Sequence, residues 1–276
     1  MIRIFSILAG LFFTVALLWS FGNGVYNQIT DPPSATAEEM FHKHAKHLAL
    51  ASDGPFGNFD HQQLQRGFKV YQEVCAACHS LSLVSYRDLK QLGYNDDEVK
   101  AIAAKSQVPV YNPKTGEVKS HAGLATDKFP PVIYGGQGTP PDLSLITKAR
   151  HGGAPYVYSL ITGYQNQPAE LLKKFPDAKT PDGLHYNPYF ANLNISMPPP
   201  LTADGLVSYS DGTKASVDQM AKDVSAFLVW TAEPTLAKRN QTGWPVLGFL
   251  LFAMILAYLS YRNIWADEKR RDLVPQ

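Results

Sequence analysis

The stretch Val74–Ser80, VCAACHS, contains every cysteine of this 276-residue chain. Cys75 and Cys78 are separated by two residues, and His79 follows the second cysteine directly. A Cys-x-x-Cys pair can be a redox dithiol, half of a zinc site, a disulfide, or the attachment point of a c-type haem. The surrounding sequence favours one of these chemistries.

The residues around the motif favour haem. A structural zinc site needs a second ligand pair, and the chain has no further cysteine. A thioredoxin-like dithiol follows a strand, whereas a helical pattern over residues 64–71 precedes this motif. A histidine directly after the second cysteine is the signature of c-type haem attachment. We therefore predict one covalently bound haem c on Cys75 and Cys78, with His79 as an axial iron ligand.

The second axial ligand decides between electron transfer and substrate binding at the iron. Among the methionines, Met197 stands in the proline-rich stretch ISMPPPL, residues 195–201. Prolines fix the backbone and keep it out of a helix, so this stretch predicts a rigid loop that presents a thioether. A methionine can also simply fill a core gap. We predict Met197 as the second ligand; a haem enzyme with an open iron site is the alternative.

The N-terminal stretch, residues 1–21, has one charged side chain, Arg3, ahead of a long apolar run. That order is typical of a secretory signal peptide. We predict that residues 1–22 are a signal peptide or, because the run is long enough to cross a bilayer, a retained N-terminal membrane segment. Either alternative takes the following chain out of the cytoplasm.

A second apolar segment lies near the C-terminus, where residues 240–261 contain no Asp, Glu, Lys or Arg. At ~1.5 Å per residue this stretch forms ~33 Å of helix, enough for a hydrocarbon core of ~30 Å. We predict a transmembrane helix over residues 240–262 and a cytoplasmic tail over residues 263–276. The protein is then a single-pass protein of the bacterial inner membrane, with its haem domain on the periplasmic side.

The chain between the two ends divides into a polar lead-in, residues 23–59, and a haem domain, residues 60–235. Asp60 can cap a helix that leads into the cysteine motif. An apolar stripe with helical spacing over residues 217–228, preceded by Ser216, predicts a second helix that ends at the Glu-Pro pair beyond it. These two helices bracket the domain.

The interior of the domain is rich in Pro and Gly, which predicts short helices and long ordered loops around an apolar cofactor rather than a sheet. We expect Asp142 to cap a helix over residues 143–150, and the lead-in stretch AEEMFHKHAKHLAL, residues 37–50, to form a solvated helix. The predicted fold class is mainly α: a c-type cytochrome domain with long ordered loops, plus one C-terminal transmembrane helix.

The charge balance argues against one class of partner. The formal net charge is +1, so the chain has no broad basic field for nucleic acid. The acidic cluster Asp96, Asp97 and Glu98 is either a local docking site for a basic protein or the capped start of a helix.

The sequence resembles the cytochrome c1 family, the haem subunit of quinol-cytochrome c reductase, over residues 57–265. The resemblance is carried in order by RGFKVYQEVCAACHSL, PPDLS, KARHGGAPYVYSLITGY, YNPYF, MPPPL and DGTKASVDQMAKDVSAFLVWTAEP, followed by the single C-terminal span. It implies that His79 and Met197 ligate the iron and that Arg150 and Tyr156 contact a haem propionate.

The resemblance also implies partners. They are a cytochrome b subunit, a Rieske iron-sulfur protein that reduces the haem, and a c-type cytochrome that accepts the electron, in a dimeric membrane complex. The chain would serve the oxidoreductase by electron transfer, with no substrate chemistry of its own. The alternative is a membrane-anchored c-type cytochrome of another respiratory complex or oxidase. Some bacterial relatives carry an added disulfide, which this chain cannot form.

Overall fold

The computed structural model describes residues 2–32, 34–111, 113, 115–136 and 138–266, and its mainly helical fold confirms the predicted class. The α-helices are α1 (Ile2–Thr30), α2 (Ala37–Phe41), α3 (His61–Val70), α4 (Asp96–Ala103), α5 (Ile146–Ala149), α6 (Gly153–Ile161), α7 (Ala169–Lys174), α8 (Val217–Ala232) and α9 (Leu236–Ile264). A π-helical turn (Tyr71–Cys75) and two 3₁₀ helices (Tyr86–Leu92 and Pro176–Ala178) accompany them. The strands are β1 (Gln107–Tyr111), β2 (Val118–Ala122), β3 (His185–Tyr186) and β4 (Asn194–Ile195).

The two helices that bracket the domain begin where the sequence predicts. The Asp60 carboxylate accepts hydrogen bonds from the backbone N–H groups of Gln62 and Gln63 at 3.0 and 3.3 Å. The Ser216 hydroxyl accepts one from the Gln219 N–H at 3.2 Å. Each cap pairs N–H groups that have no partner inside the helix, and this defines the first turns of α3 and α8.

Helices α3 and α8 cross at Gly67. A Cβ at this position would lie 2.0 Å from the carbonyl oxygen of Asp223 and 2.7 Å from the Cβ of Phe227, so the close approach requires glycine. Phe68 and Phe227 are both buried at the crossing, with ring centroids 5.6 Å apart. The crossing forms the centre of the main hydrophobic core and holds the end of α3, from which the cysteine motif continues.

The interior of the domain was predicted to contain no sheet, and this is wrong because the structure has two short antiparallel sheets. Strands β1 and β2 pair from Gln107 opposite Ala122 to Tyr111 opposite Val118, and β3 pairs with β4. The hairpin is almost entirely exposed, so it lacks the apolar alternation by which a strand is recognised in a sequence. It also contains Pro109, which is typical of an edge strand.

The helix predicted over residues 143–150 is shorter than expected, because α5 covers only Ile146–Ala149. Asp142 is not its cap. The Asp142 carboxylate instead accepts hydrogen bonds from the backbone N–H groups of Ser82 and Ser144, both at 2.8 Å. Asp142 therefore ties this loop to the chain that follows the cysteine motif.

The solvated helix predicted over residues 37–50 is also wrong beyond α2. Residues 42–50 cross the surface of α6 without helical structure, because α6 offers them partners. The Lys46 backbone N–H donates to the Ser159 hydroxyl at 2.7 Å, and the Lys46 ammonium donates to the Thr162 hydroxyl at 2.8 Å. The lead-in is thus packed against the haem domain.

The two apolar end helices are both longer than predicted. Helix α1 extends to Thr30, and α9 begins at Leu236; each is long and apolar enough to cross a membrane, and neither stretch that qualifies is buried in the protein. The processing of residues 1–22 stays a prediction. Most of the predicted cytoplasmic tail, residues 267–276, lies outside the described residues.

Candidate haem site

A cavity of about 370 Å³ brings together all six residues that the sequence singled out. This volume is within the range of cofactor and ligand pockets in proteins. Cys75, Cys78 and His79 come from one wall, and Met197 comes from the proline-rich loop. The remaining lining is mostly apolar and includes Leu143, Ile146, Val157, Leu160, Ile161, Phe190, Val224 and Leu228.

The cysteine motif lies where α3 widens into the π-helical turn. The Ala76 N–H bonds to the carbonyl of Tyr71, five residues back, at 2.8 Å. The N–H groups of Cys78 and His79 then both bond to the carbonyl of Cys75, at 3.1 and 2.9 Å. One tightly bonded turn therefore presents both thiols and the imidazole to the cavity.

Cys75 and Cys78 are not joined in a disulfide. Burial raises the pKa of the Cys75 thiol to about 12, and the neighbouring Cys78 acts in the same direction. A redox dithiol needs a thiolate near neutral pH. Burial therefore disfavours the thiolate form of Cys75.

Two hydrogen bonds hold His79 in place. Its Nδ1 lies 2.8 Å from the carbonyl oxygen of Pro141, and its own carbonyl accepts a bond from the Tyr71 hydroxyl at 3.0 Å. Because a carbonyl can only accept, Nδ1 is the donor of this bond, and Nε2 is the ring nitrogen left to face a ligand. A bond from one ring nitrogen to a backbone carbonyl is the usual way in which a metal-ligating histidine is oriented.

Met197 lies in an irregular loop whose backbone is held by Tyr164. The Tyr164 hydroxyl donates to the carbonyl oxygen of Met197 at 3.0 Å. The Tyr164 ring contacts His185 edge-on, with centroids 6.4 Å apart. Burial, with the nearby Tyr156 hydroxyl adding to it, raises the pKa of Tyr164, which therefore stays a neutral donor.

Arg150 and Tyr156 lie beside each other on the cavity lining. Arg150 is exposed and lines the cavity, and its guanidinium donates to the adjacent Ala149 carbonyl at 3.1 Å. Burial raises the pKa of Tyr156, while the Arg150 charge acts the other way. An arginine fork beside a phenol suits a carboxylate ligand.

The donor set fits a covalent haem. The cavity combines an apolar lining with two thiols, an imidazole whose Nδ1 is hydrogen-bonded, and a thioether, and its lining also includes the cationic Arg150. Cys75 and Cys78 would bond the porphyrin edge, and His79 and Met197 would hold the iron. When bound, haem supplies a one-electron redox centre.

Sequence patterns missed three residues that support this site: Tyr71, Pro141 and Tyr164. Tyr71 is marked in the sequence only by the helical pattern over residues 64–71, and Pro141 contributes its carbonyl from 62 positions away. Tyr164 lies 33 positions from Met197, and no periodic or spacing signal connects them. Their partners are set by tertiary contacts.

The acidic cluster Asp96, Asp97 and Glu98 forms the capped start of a helix, which is one of the two roles predicted for it. Asn95 caps α4 by accepting bonds from the backbone N–H groups of Asp97 and Glu98, and the Glu98 carboxylate bonds back to the Asn95 N–H at 2.8 Å. Lys90 pairs with Asp96, and Lys100 pairs with Asp97 at 3.0 Å. The cluster is the capped and partly neutralised start of α4.

Comparison with known proteins identifies relatives over most of the chain. The Cytochrome C1 family model matches residues 50–268. Cytochrome c1-2, heme protein, mitochondrial, of Solanum tuberosum is 43% identical over 229 residues, covering 80% of this chain and 85% of the relative. Cytochrome c1 of Rhodospirillum rubrum is 42% identical over 235 residues, covering 78% and 85%.

The name of a third relative joins cytochrome b with cytochrome c1. Cytochrome b/c1 of Bradyrhizobium diazoefficiens is 39% identical over 237 residues, covering 78% of this chain and 34% of that protein. Together with the geometry of the cavity, these matches lead to one conclusion. The chain belongs to the cytochrome c1 family, the haem subunit of cytochrome bc1 complexes, whose members carry one covalent haem c.

Proposed function

We propose that this chain relays single electrons from a Rieske iron-sulfur protein to a c-type cytochrome, as the haem subunit of a quinol-cytochrome c reductase. The observation that carries the proposal is the convergence of His79 and Met197 on one apolar cavity whose wall contains Cys75 and Cys78. An iron with both axial positions filled transfers electrons and has no open position for a substrate.

Each residue has a defined task in this proposal. Cys75 and Cys78 hold the cofactor by thioether bonds. His79 binds iron through Nε2, while its bond to a backbone carbonyl keeps the ring oriented. Met197 supplies a weak thioether ligand, which raises the reduction potential relative to a second histidine. Arg150, with Tyr156 beside it, binds a propionate.

The partner cytochrome b is supported by the relative named cytochrome b/c1. The Rieske donor, the c-type acceptor and the assembly into a dimeric complex are further parts of the proposal, and membership of the cytochrome c1 family supports them. The chain contributes electron transfer to the complex and performs no substrate chemistry of its own.

The proposed topology places α9 across the bacterial inner membrane and the haem domain on the periplasmic side. Helix α9 is 29 residues long and apolar enough to cross a membrane, and its apolar stretch is not buried in the protein. Residues 1–22, of which residues 2–22 lie in helix α1, would be removed as a signal peptide or kept as a second anchor. The intact mass of the purified chain distinguishes these two outcomes and counts the covalent haems.

The decisive experiment replaces the proposed thioether ligand. We expect Met197→Leu to keep the covalent haem, because the thioether bonds are made elsewhere, while the midpoint potential falls and electron delivery to a c-type cytochrome stops. Redox titration and steady-state turnover of the purified complex measure these effects. The ferric spectrum should also lose the band that marks sulfur coordination.

The matched control is Met40→Leu, because Met40 is a half-exposed methionine on α2, away from the cavity. It should leave potential and turnover unchanged. If Met197→Leu also leaves the potential unchanged, Met197 is not a ligand. Ready binding of carbon monoxide to the reduced wild-type protein would instead support an open iron site, and purification without cytochrome b or a Rieske protein would support another respiratory complex.

A further inference from the structure

A tight turn of the lead-in, residues 53–58, lies against the first turns of α9, and we name it the Phe56 loop. The side-chain amide of Asn240 donates to the carbonyl oxygen of Gly57 at 3.0 Å. Gly57 is buried, and a Cβ there would lie 2.1 Å from a backbone carbonyl oxygen of the preceding turn. The loop is therefore compact, and its backbone is fastened to α9.

The tip of the loop carries an exposed aromatic pair. The rings of Phe56 and Trp244 stack with centroids 4.9 Å apart and an angle of 11° between their planes. The Trp244 indole N–H also lies 3.4 Å from the carbonyl oxygen of Pro55. Even so, Phe56 is 78% exposed and Trp244 is 47% exposed. An apolar ring held in this position is unfavourable in water and favourable against an apolar environment.

The position of Trp244 along α9 gives the depth of this pair. Arg239 is the last charged residue before the apolar stretch, which stays uncharged through Tyr261. Trp244 lies about 7.5 Å further along the helix axis than Arg239, at ~1.5 Å per residue. A tryptophan at the edge of an apolar span is typical of the boundary between headgroups and acyl chains. Phe56 touches Trp244 and so lies at the same level.

The base of α9 is held to the haem domain at a second place. This second link helps to keep the Phe56 loop and α9 in contact. Glu233, just before α9, accepts hydrogen bonds from Lys148 at 2.5 Å and from Arg239 at 2.8 Å. Lys148 belongs to α5, which also lines one side of the haem cavity through Ile146. The helix base is therefore joined to the haem domain on two sides.

We propose that the Phe56 loop inserts into the headgroup region of the lipid bilayer and forms a second membrane contact of the haem domain beside α9. Lipid fits this surface better than a charged protein partner. Asp53 is the one charged residue of the loop, and its carboxylate is engaged by the Leu50 N–H at 2.8 Å. The exposed surface of the tip is thus an aromatic ring continuous with the apolar surface of α9.

A second membrane contact would fix the tilt of the haem domain relative to the bilayer. A domain joined to the bilayer by one helix can rotate about that helix, whereas two contacts restrict it. The Phe56 loop would therefore help to hold the haem cavity in one orientation above the membrane. The proposal rests on α9 crossing the membrane, as proposed above, and does not depend on the identity of the iron ligands.

The test measures depth with a nitroxide label. Because both native cysteines bond the haem, Phe56→Cys adds a unique reactive thiol to the haem-loaded full chain, reconstituted in phosphatidylcholine vesicles. Leu247→Cys, inside the span, and Lys238→Cys, before it, are the references. We expect the label at position 56 to be relaxed several-fold more by oxygen than by a water-soluble nickel chelate, as at position 247.

Two results would overturn the proposal. Relaxation by the nickel chelate equal to that at position 238 would place the loop in water, and shielding from both reagents would mean that protein covers it. An aqueous signal at position 247 would overturn the proposed topology together with the loop contact, whereas failure at position 56 alone would leave the topology intact.

A second measurement uses the unaltered chain and so does not depend on the folding of a variant. A phospholipid with a photoreactive group near its headgroup should form adducts within the peptide that contains residues 53–58. The peptide around Leu206, an exposed apolar residue before α8, is the control and should carry few adducts. Equal labelling of the two peptides, or none at residues 53–58, contradicts the proposal.

Discussion

Two regions hold the two halves of the haem site in different ways. One is the crossing of α3 with α8, and the other is the loop that carries Met197. The crossing has two capped helices, a glycine contact and buried aromatic rings. The Met197 loop has no regular structure beyond the two-residue strand β4, and Tyr164 holds its backbone by one hydrogen bond. The half of the site that bears His79 is thus built on a scaffold of protein contacts, while the Met197 half depends on a few bonds and on its proline-restricted backbone.

The largest effect is expected at the ion pair of the crossing. Asp223 is fully buried, and Arg66 binds it at 2.9 Å with 14% of its own side chain exposed. Arg66→Met leaves a buried carboxylate without its cation, which typically costs about 3–5 kcal/mol of unfolding free energy. Chemical denaturation of the haem-loaded chain, followed by circular dichroism, measures the loss.

The control is Lys69→Met, one turn away on α3, which breaks a pair with Glu73 whose two side chains are 41% and 44% exposed. Such a surface pair is worth about 0–1 kcal/mol. If the two variants lose similar stability, the buried pair does not hold the crossing together.

A methyl group at Gly67 should destabilise the same crossing by a different mechanism. In Gly67→Ala the new Cβ would meet the Asp223 carbonyl oxygen at 2.0 Å, so the helices must separate. Overpacking of this kind costs about 1–3 kcal/mol. Thermal unfolding should show a clear decrease in Tm. Gly243→Ala in α9, where a Cβ has no heavy atom within 4 Å, should show none.

The Met197 half should respond in potential more than in stability. Tyr164→Phe removes the hydroxyl that holds the Met197 carbonyl, a neutral hydrogen bond worth about 1 kcal/mol. If that restraint stabilises the thioether ligand, the midpoint potential falls by up to about 40 mV, as 59 mV corresponds to a tenfold change for one electron. Redox titration checks this result.

The comparison for Tyr164→Phe is Tyr111→Phe, on the exposed β1 strand. This variant removes a tyrosine hydroxyl that does not line the cavity, so it should leave the potential unchanged. An unchanged potential in Tyr164→Phe, with the ferric sulfur band intact, would show that the loop keeps Met197 in place without this bond.

The smallest effect is expected in the acid dependence of stability. Hydrogen bonds from Lys222 and then from the Tyr158 hydroxyl lower the pKa of the Asp218 carboxyl. A carboxyl with a lowered pKa stabilises the fold above its unfolded-state pKa, and this contribution is lost as the pH falls through the folded-state value. Asp218→Asn should remove it.

The size of the Asp218 contribution is limited by exposure, because 55% of the side chain is exposed, so we expect no more than about 1 kcal/mol at neutral pH. Unfolding free energies measured from neutral to acidic pH should converge for wild type and Asp218→Asn at low pH. Asp182→Asn, at an exposed acid elsewhere in the domain, is the control. A constant difference at all pH values would exclude titration of Asp218 as the cause.

The bracketing helices could be predicted because their signals are local. Asp60 and Ser216 each meet an N–H group within three residues, and apolar spacing marks the buried face of each helix. The helices predicted over residues 143–150 and 37–50 were too long, because polar groups in these two stretches find partners far away in sequence. Lys46 bonds to groups 113 and 116 positions away, and these contacts replace the helix.

The cofactor chemistry and the two apolar ends can be predicted from the sequence alone, because a Cys-x-x-Cys-His turn and an uncharged stretch of about 20 residues act through local bonding and composition. The completion of the cavity depends instead on long-range contacts of the folded domain. Pro141 orients the His79 ring, Tyr164 holds the Met197 loop, and the Phe56 loop meets α9. Each of these contacts joins residues far apart along the chain, and such contacts form only when the whole domain folds.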